Sequence, residues 1–422
     1  MQVFFPSLCA AVHTAKELLV REIVMDFIGV VCEYNPFHLG HLYHLRRSAA
    51  AAGGLPVVCV MSGDFVQRGE AAIYSKFLRA EAACRCGADA VFELPLPWAL
   101  SSAEGFARGA VGMLGALGAR YISFGSESGD IGTLESLAHE LCRSETVSAI
   151  REELKNNAAQ SFAEARARVM GRLCGADAVL LDRPNDILAV EYIKAIETLG
   201  LSTEPVAVLR TGCAHDAAGE GEHRSASELR AMLRRGEDIS AYIPAPAAEV
   251  FAGAVEKGVG MPAPENIEIA MLSRLRALPK TAFARLPDAS DGLAERLAKA
   301  APEAESIDAL CQSVKTRRLV MSRIRRAVCC AALGVETWTQ EGVPPYARLL
   351  AANERGRAII ANMKKSSSVP IITKPASVRA LGGRSEELFT LTAAAHDLYS
   401  LGMREGEHRR GGADWRTGPV IV

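Results

Sequence analysis

Between residue 26 and about residue 244 the chain alternates short apolar runs with helical stretches, and this alternation restricts the fold more than any other feature. Residues 28–32, 57–61, 88–94 and 121–124 have strand length and are largely apolar. Residues 42–52, 75–86 and 101–117, lying between them, read as helices. A late strand is expected at 206–209, after a helical insertion over about 134–199. Parallel strands need long crossovers, and helices on both faces bury the sheet, so such strands lose the alternating pattern. The expected fold class is α/β, a Rossmann-like parallel sheet with right-handed crossovers. Gly109, Gly112, Gly115 and Gly118 recur every three residues and read as a helix face open to close packing rather than as a phosphate loop.

Beyond Pro244 the texture changes. Residues 267–277, 292–299, 307–333 and 346–363 read as helices, 369–373 as a short strand, and the tail from Arg409, with Gly411 and Gly412, as frayed. The 422 residues exceed one ordinary core, so two domains are expected, 25–245 and a mostly helical 246–422. Residues 1–24 read as an N-terminal extension, unless translation starts at Met25. No Lys or Arg precedes the apolar Met1–Leu8 stretch, which argues against a signal peptide, and no apolar run has the length of a membrane span. The net charge of -1 gives no global attraction to nucleic acid. Eleven cysteines without zinc-like spacing read as reduced thiols of a cytoplasmic protein.

The chemistry concentrates in Val31-Cys32-Glu33-Tyr34-Asn35-Pro36-Phe37-His38-Leu39-Gly40-His41-Leu42-Tyr43-His44. This segment leaves a strand, breaks at Asn35-Pro36 and restarts as a helix near Leu39. Ligands of open α/β sheets bind at the carboxyl ends of strands, and a helix starting there points N–H groups at an anion. His38 and His41, three apart, share a helical face, and Gly40 removes a side chain between them. Two imidazoles beside a phosphate can donate to oxygens that gain charge in the transition state. Two other readings compete. His38, His41 and His44 have a spacing that could hold a metal, but helical pairs more often use i, i+4 and no HExxH-like carboxylate is near, so no metal site is expected. Helix-capping histidines are the remaining alternative.

The segment resembles the HxGH signature of the nucleotidylyltransferase superfamily and, more narrowly, the tRNA(Met) cytidine acetate ligase family. The narrower resemblance extends through Met61-Ser62-Gly63-Asp64-Phe65-Val66-Gln67-Arg68-Gly69-Glu70, Ser75-Lys76, Glu93-Leu94-Pro95, Phe124-Gly125-Ser126-Glu127, Arg183-Pro184-Asn185-Asp186-Ile187-Leu188 and Lys315-Thr316-Arg317-Arg318. It implies a catalytic domain over 25–245. It also implies an enzyme that attacks the α-phosphorus of ATP with acetate, forming acetyl-adenylate and pyrophosphate. The acetyl group then passes to the exocyclic amine of the wobble cytidine of elongator tRNA(Met), giving N4-acetylcytidine and AMP. Magnesium is expected to arrive with ATP.

Under that resemblance Val31 to His44 wraps ATP, His38 and His41 are catalytic, and Gly125, Asn185 and Arg210 contact the nucleotide. Arg68 and Lys76 are candidates for pyrophosphate, acetate or tRNA. Ser227 is expected to cap a helix facing ATP and Arg230 to project one turn later, as a second phosphate site. Lys315, Arg317, Arg318, Arg323, Arg325 and Arg326 lie in one stretch without an acid and read as a strip for tRNA phosphates. A small-molecule nucleotidylyltransferase and a non-enzymatic RNA-binding protein with a nucleotide fold are the alternatives. Oligomeric state is left open.

Overall fold

The structure is a computed structural model, and it describes residues 26–157, 160–210 and 224–422. The expected extension at 1–24 lies outside the described residues. Strand β1 (Ile28–Cys32) leads into α1 (Leu39–Ala51) and β2 (Val57–Ser62). A two-stranded hairpin, β3 (Phe65–Val66) and β4 (Glu70–Ala71), precedes α2 (Lys76–Arg85). Then come β5 (Ala90–Leu94), α3 (Ala103–Leu117) and β6 (Tyr121–Ser126). The insertion comprises α4 (Ile131–Cys142), α5 (Ser144–Asn156), α6 (Phe162–Cys174) and α7 (Pro184–Thr198), and the chain returns to the sheet as β7 (Glu204–Leu209).

These strands lie in the order β5-β2-β1-β6-β7, all parallel, with residue registers such as Val30↔Cys59 and Gly125↔Val208. The order reverses at β1, so the crevice between the ends of β1 and β6 is a topological switch point. The glycine face of α3 is a packing surface, as expected. A Cβ on Gly109, Gly112 or Gly115 would come within 2.4, 2.4 and 2.6 Å of Trp98, Val343 and Leu201. Gly118 instead ends the helix in the left-handed region, at φ 90°.

After β7 come α8 (Ala226–Arg234), α9 (Ala245–Glu256), α10 (Pro264–Ala277), α11 (Leu293–Ala300), α12 (Ile307–Val314) and α13 (Met321–Leu333). Three expectations need correction here. Residues 307–333 are two helices, because Lys315 to Val320 leave the helical path between the caps of α12 and α13. Residues 346–363 divide into β8 (Ala347–Ala352) and α14 (Glu354–Ser366). β8 is composed of helix formers, yet pairs antiparallel with β5 and is buried at all six positions, so burial against a sheet edge overrides propensity. The tail is not frayed. After β9 (Ile371–Ile372) and α15 (Gly383–Ser400), β10 (Val420–Ile421) pairs with β8, and Asp414 is wholly buried. Segments beyond Pro244 therefore complete the sheet as well as forming a helical layer. The described cysteines are free thiols.

Candidate active site

At the end of β1 the chain turns through Tyr34, at φ 47°, and enters α1 with His38 as its N-cap. The two histidines form a reciprocal cap. Gly40 N donates to His38 Nδ1 at 3.0 Å, and His38 N donates to His41 Nδ1 at 3.3 Å. Capping and catalytic readings are thus not exclusive, because the cap fixes the tautomer of each ring. With both Nδ1 atoms accepting, each neutral ring carries its proton on Nε2. The rings stack at 3.7 Å between centroids. A Cβ on Gly40 would lie 2.8 Å from His38 Cε1, so the missing side chain makes room first for the histidine ring itself.

Burial lowers the His41 pKa well below its usual value, and the neighbouring His38, Arg210 and His44 lower it further. Burial and Arg210 take His44 to about 4. Both rings are therefore neutral near pH 7, and Arg210 is near enough to act on each of them. His44 Nε2 lies 3.1 Å from Ser123 Oγ, a contact to the sheet.

The loop after β6 supplies the facing wall. Gly125 is packed by the stem of Arg210, whose Cγ would meet a Cβ there at 3.1 Å. Arg210 Nη1 donates to Asn185 Oδ1 at 3.1 Å. Asn185 opens α7, and it is held rather than acting as the cap. Glu127 accepts from the backbone N–H of Asn185 and Asp186, the latter at 2.9 Å, and from the Asn185 side-chain amide. In exchange Asp186 Oδ1 accepts from Ser126 Oγ at 2.5 Å and Glu127 N at 2.9 Å. The carboxylates of Glu127 and Asp186 thus lock the β6 loop to the start of α7. A carboxylate at a helix N-terminus also complements its dipole.

Several expected contacts are placed otherwise. Lys76 is fully buried, with Nζ 2.7 Å from both Glu93 Oε1 and Asp414 Oδ2 and 3.8 Å from Asp64 Oδ2. Arg348 joins Glu93 and Asp414, and His396 Nδ1 lies 2.7 Å from Asp64 Oδ2. This Lys76 ammonium is enclosed by protein acids rather than offered to a substrate. Arg230 is buried too. Its Nη1 donates to Asn35 O at 2.9 Å and its Nη2 lies 3.0 Å from Glu70 Oε1, so it buttresses the loop from behind. Ser225, not Ser227, caps α8, with Glu228 completing the box, and Ser227 is exposed at the second helical position. Arg68 is exposed at the hairpin tip.

The basic strip is divided. Arg323 pairs with Asp288 and Asp291, Arg326 with Asp288, Arg318 with Asp291, and Arg325 with Asp308. Acids absent from the stretch in sequence reach it in space. Lys315 and Arg317 are exposed in the connection between α12 and α13.

Arg79 carries a role that its isolated position in the sequence conceals. Wholly buried, it donates to Tyr74 O at 2.9 Å, Glu33 O at 2.5 Å, Ser62 O at 3.2 Å and Gly63 O. It therefore ties together the carboxyl ends of β1 and β2. Glu33 Oε1 accepts from Gln67 N at 2.8 Å, and burial pushes its pKa up.

A parallel sheet whose switch point carries two imidazoles at a helix start, with an amide and a guanidinium opposite, is the arrangement expected of a nucleotidyl transferase. Residues 25–414 match the HIGH nucleotidyl transferase family, and the chain belongs to it. Within that family it stands with the tRNA(Met) cytidine acetate ligases. The ligase of Syntrophotalea carbinolica is 38% identical over 86% of this chain and 89% of its own length. That of Acetivibrio thermocellus is 32% identical, over 94% of this chain and 100% of its own. The structure of Thermotoga maritima TmcAL bound with alpha-thio ATP is 33% identical and superposes with a TM-score of 0.87, covering 94% of this chain and 100% of that one.

Proposed function

We propose that the chain is a tRNA(Met) cytidine acetate ligase acting in the cytoplasm. It activates acetate with ATP and transfers the acetyl group to the wobble cytidine of elongator tRNA(Met). A carboxylate oxygen of acetate attacks the α-phosphorus, the bond to the bridging oxygen breaks, and pyrophosphate leaves. The His38 and His41 Nε2–H groups donate to phosphate oxygens as charge builds on them, which stabilises the transition state with no covalent enzyme intermediate. Arg210 and Asn185 hold the nucleotide, Gly125 leaves them room, and Glu127 and Asp186 keep Asn185 in place. The cytosine amine then attacks the acetyl carbon, loses its proton, and AMP departs. Magnesium comes with ATP. The one group of potential ligands found among the described residues, Glu405, Glu407 and His408, lies outside the nucleotide loop.

Under this reading residues 25–245 form the adenylate and residues 246–422 contribute to RNA contact while completing the sheet. The observation that carries the reading is the reciprocal histidine cap, in which both Nδ1 atoms accept at the switch point and so favour protonated Nε2 atoms. The test is ATP–pyrophosphate exchange across a series of carboxylic acids, with and without tRNA. Acetate is expected to support exchange and acetyl transfer to tRNA(Met). A stable adenylylated small molecule formed without tRNA would instead favour a small-molecule nucleotidylyltransferase.

A further inference from the structure

Phe162 is 59% exposed in the first turn of α6. A lone exposed ring is ordinary. This one lines a cleft of about 590 Å³, whose walls are far apart in sequence. Lys155 and Phe162 stand on the insertion side, and Asp288, Asp291, Arg318 and Arg323 on the C-terminal side. Both aspartates are occupied by Arg323, at 3.1 and 3.0 Å. Arg318 reaches Asp291 only at 3.7 Å and keeps 39% of its side chain exposed, against 13% for Arg323. Lys155 is exposed, and Arg317 is exposed next to Arg318 in the chain. Among the described lining residues only Leu154 and Phe162 are apolar, which is a poor match to the hydrophobic centre that a protein partner would bury.

Both walls are anchored at the nucleotide site. The insertion leaves from the Gly125–Ser128 loop and ends at α7, which carries Asn185 in its first turn. On the other side, Gly69 seats the hairpin after β2 on the backbone of α13, where a Cβ would lie 2.5 Å from the Arg325 carbonyl carbon. A strand lying in the cleft would therefore be bordered on one side by the insertion, which leaves the carboxyl edge of the sheet, and on the other by residues next to α13, on which the hairpin from that edge is seated.

We propose that this cleft binds an unstacked stretch of the tRNA, with Phe162 as the platform for one base and Lys155 and Arg318 facing the flanking phosphates. Aromatic stacking beside a basic groove is how single-stranded RNA is held without a dedicated recognition module. The proposal rests on the tRNA reading above. Its test measures tRNA affinity of the full chain at several salt concentrations, together with acetate-dependent pyrophosphate exchange without tRNA. Phe162→Ala is expected to weaken tRNA binding about tenfold, and Phe162→Trp to retain it. Arg318→Gln is expected to reduce the slope of log affinity against log salt by about one. Exchange should be unchanged in all three. Equal tRNA affinity in Phe162→Ala and the unaltered protein overturns the cleft while leaving the enzyme's tRNA partner intact. Absence of any tRNA binding by the unaltered protein overturns the partner itself. Self-association lost in Phe162→Ala, with tRNA affinity unchanged, would instead make Phe162 a contact between copies of the chain.

Discussion

Two charged regions lie at the same edge of the sheet and use the same residue types in opposite ways. Around Lys76, two cations and a histidine meet three carboxylates with almost no exposure, and most of their hydrogen-bonding groups are already paired inside the protein. Around His38 and His41, the Nδ1 nitrogens accept from the backbone of the helix start, which puts the ring protons on Nε2. The first region joins β5, β8, α2, α15 and the tail. The second lies at the switch point, where the proposed nucleotide would bind. What separates the two regions is not the kind of group but how completely buried ion pairs enclose it.

The sharpest way to break this contrast is to remove a buried charge. Lys76→Met should cost about 3–5 kcal/mol in urea unfolding, because Glu93 and Asp414 lose one of their two shared cations and Arg348 alone must balance them. The KM for ATP should not change. A raised KM with normal stability would return Lys76 to the substrate. Combining Lys76→Met with Asp414→Leu should destabilise by less than the sum, since the pair is coupled.

His41→Ala reads the other side of the contrast. Acetate-dependent pyrophosphate exchange should fall about 10²–10³-fold, the effect of losing one transition-state donor. Stability should drop by only about 1 kcal/mol, for the lost cap. Glu127→Ala should raise the KM for ATP about tenfold, through Asn185, since hydrogen bonds to a charged group contribute about 1.5–3 kcal/mol.

The smallest effects concern pH. Because burial, first, and then its neighbours keep His41 neutral, the exchange rate should show no inflection near 6.5 from this ring. An inflection there would mean that imidazolium, not imidazole, is the donor. Burial opposes the charge on His396, but the Asp64 carboxylate outweighs it and raises the pKa. Asp64 likewise resists burial and is held below its usual range by His396 and Lys76. The raised histidine contributes fully below about 6.5 and loses its contribution as pH climbs through its folded value, while the depressed carboxylate acts above about 3.8. The stability gap between the unaltered protein and His396→Asn should therefore be widest between those values and narrow toward alkaline pH.

The parallel core and the nucleotide turn were legible because their signals are local. Apolar runs mark β1, β2, β5 and β6, and His38, Gly40 and His41 lie within one turn. What escaped depends on distant partners. β8 has a helical composition, and only the edge of β5 makes it a strand. The tail is anchored by Asp414, whose partners Lys76 and Arg348 are hundreds and tens of residues away. The basic strip looked unopposed because Asp288, Asp291 and Asp308 reach it only in space. Glu127 and Asp186 stood inside recognised motifs, yet their exchange of hydrogen bonds is invisible until β6 and α7 meet.

The most direct test is a structure of the protein with a non-reactive ATP analogue. The α-phosphate oxygens should lie within hydrogen-bonding distance of Nε2 of His38 and His41, with Asn185 and Arg210 on the same nucleotide. A nucleotide bound away from both rings, or one held by Lys76, would contradict the role assigned to the histidine pair.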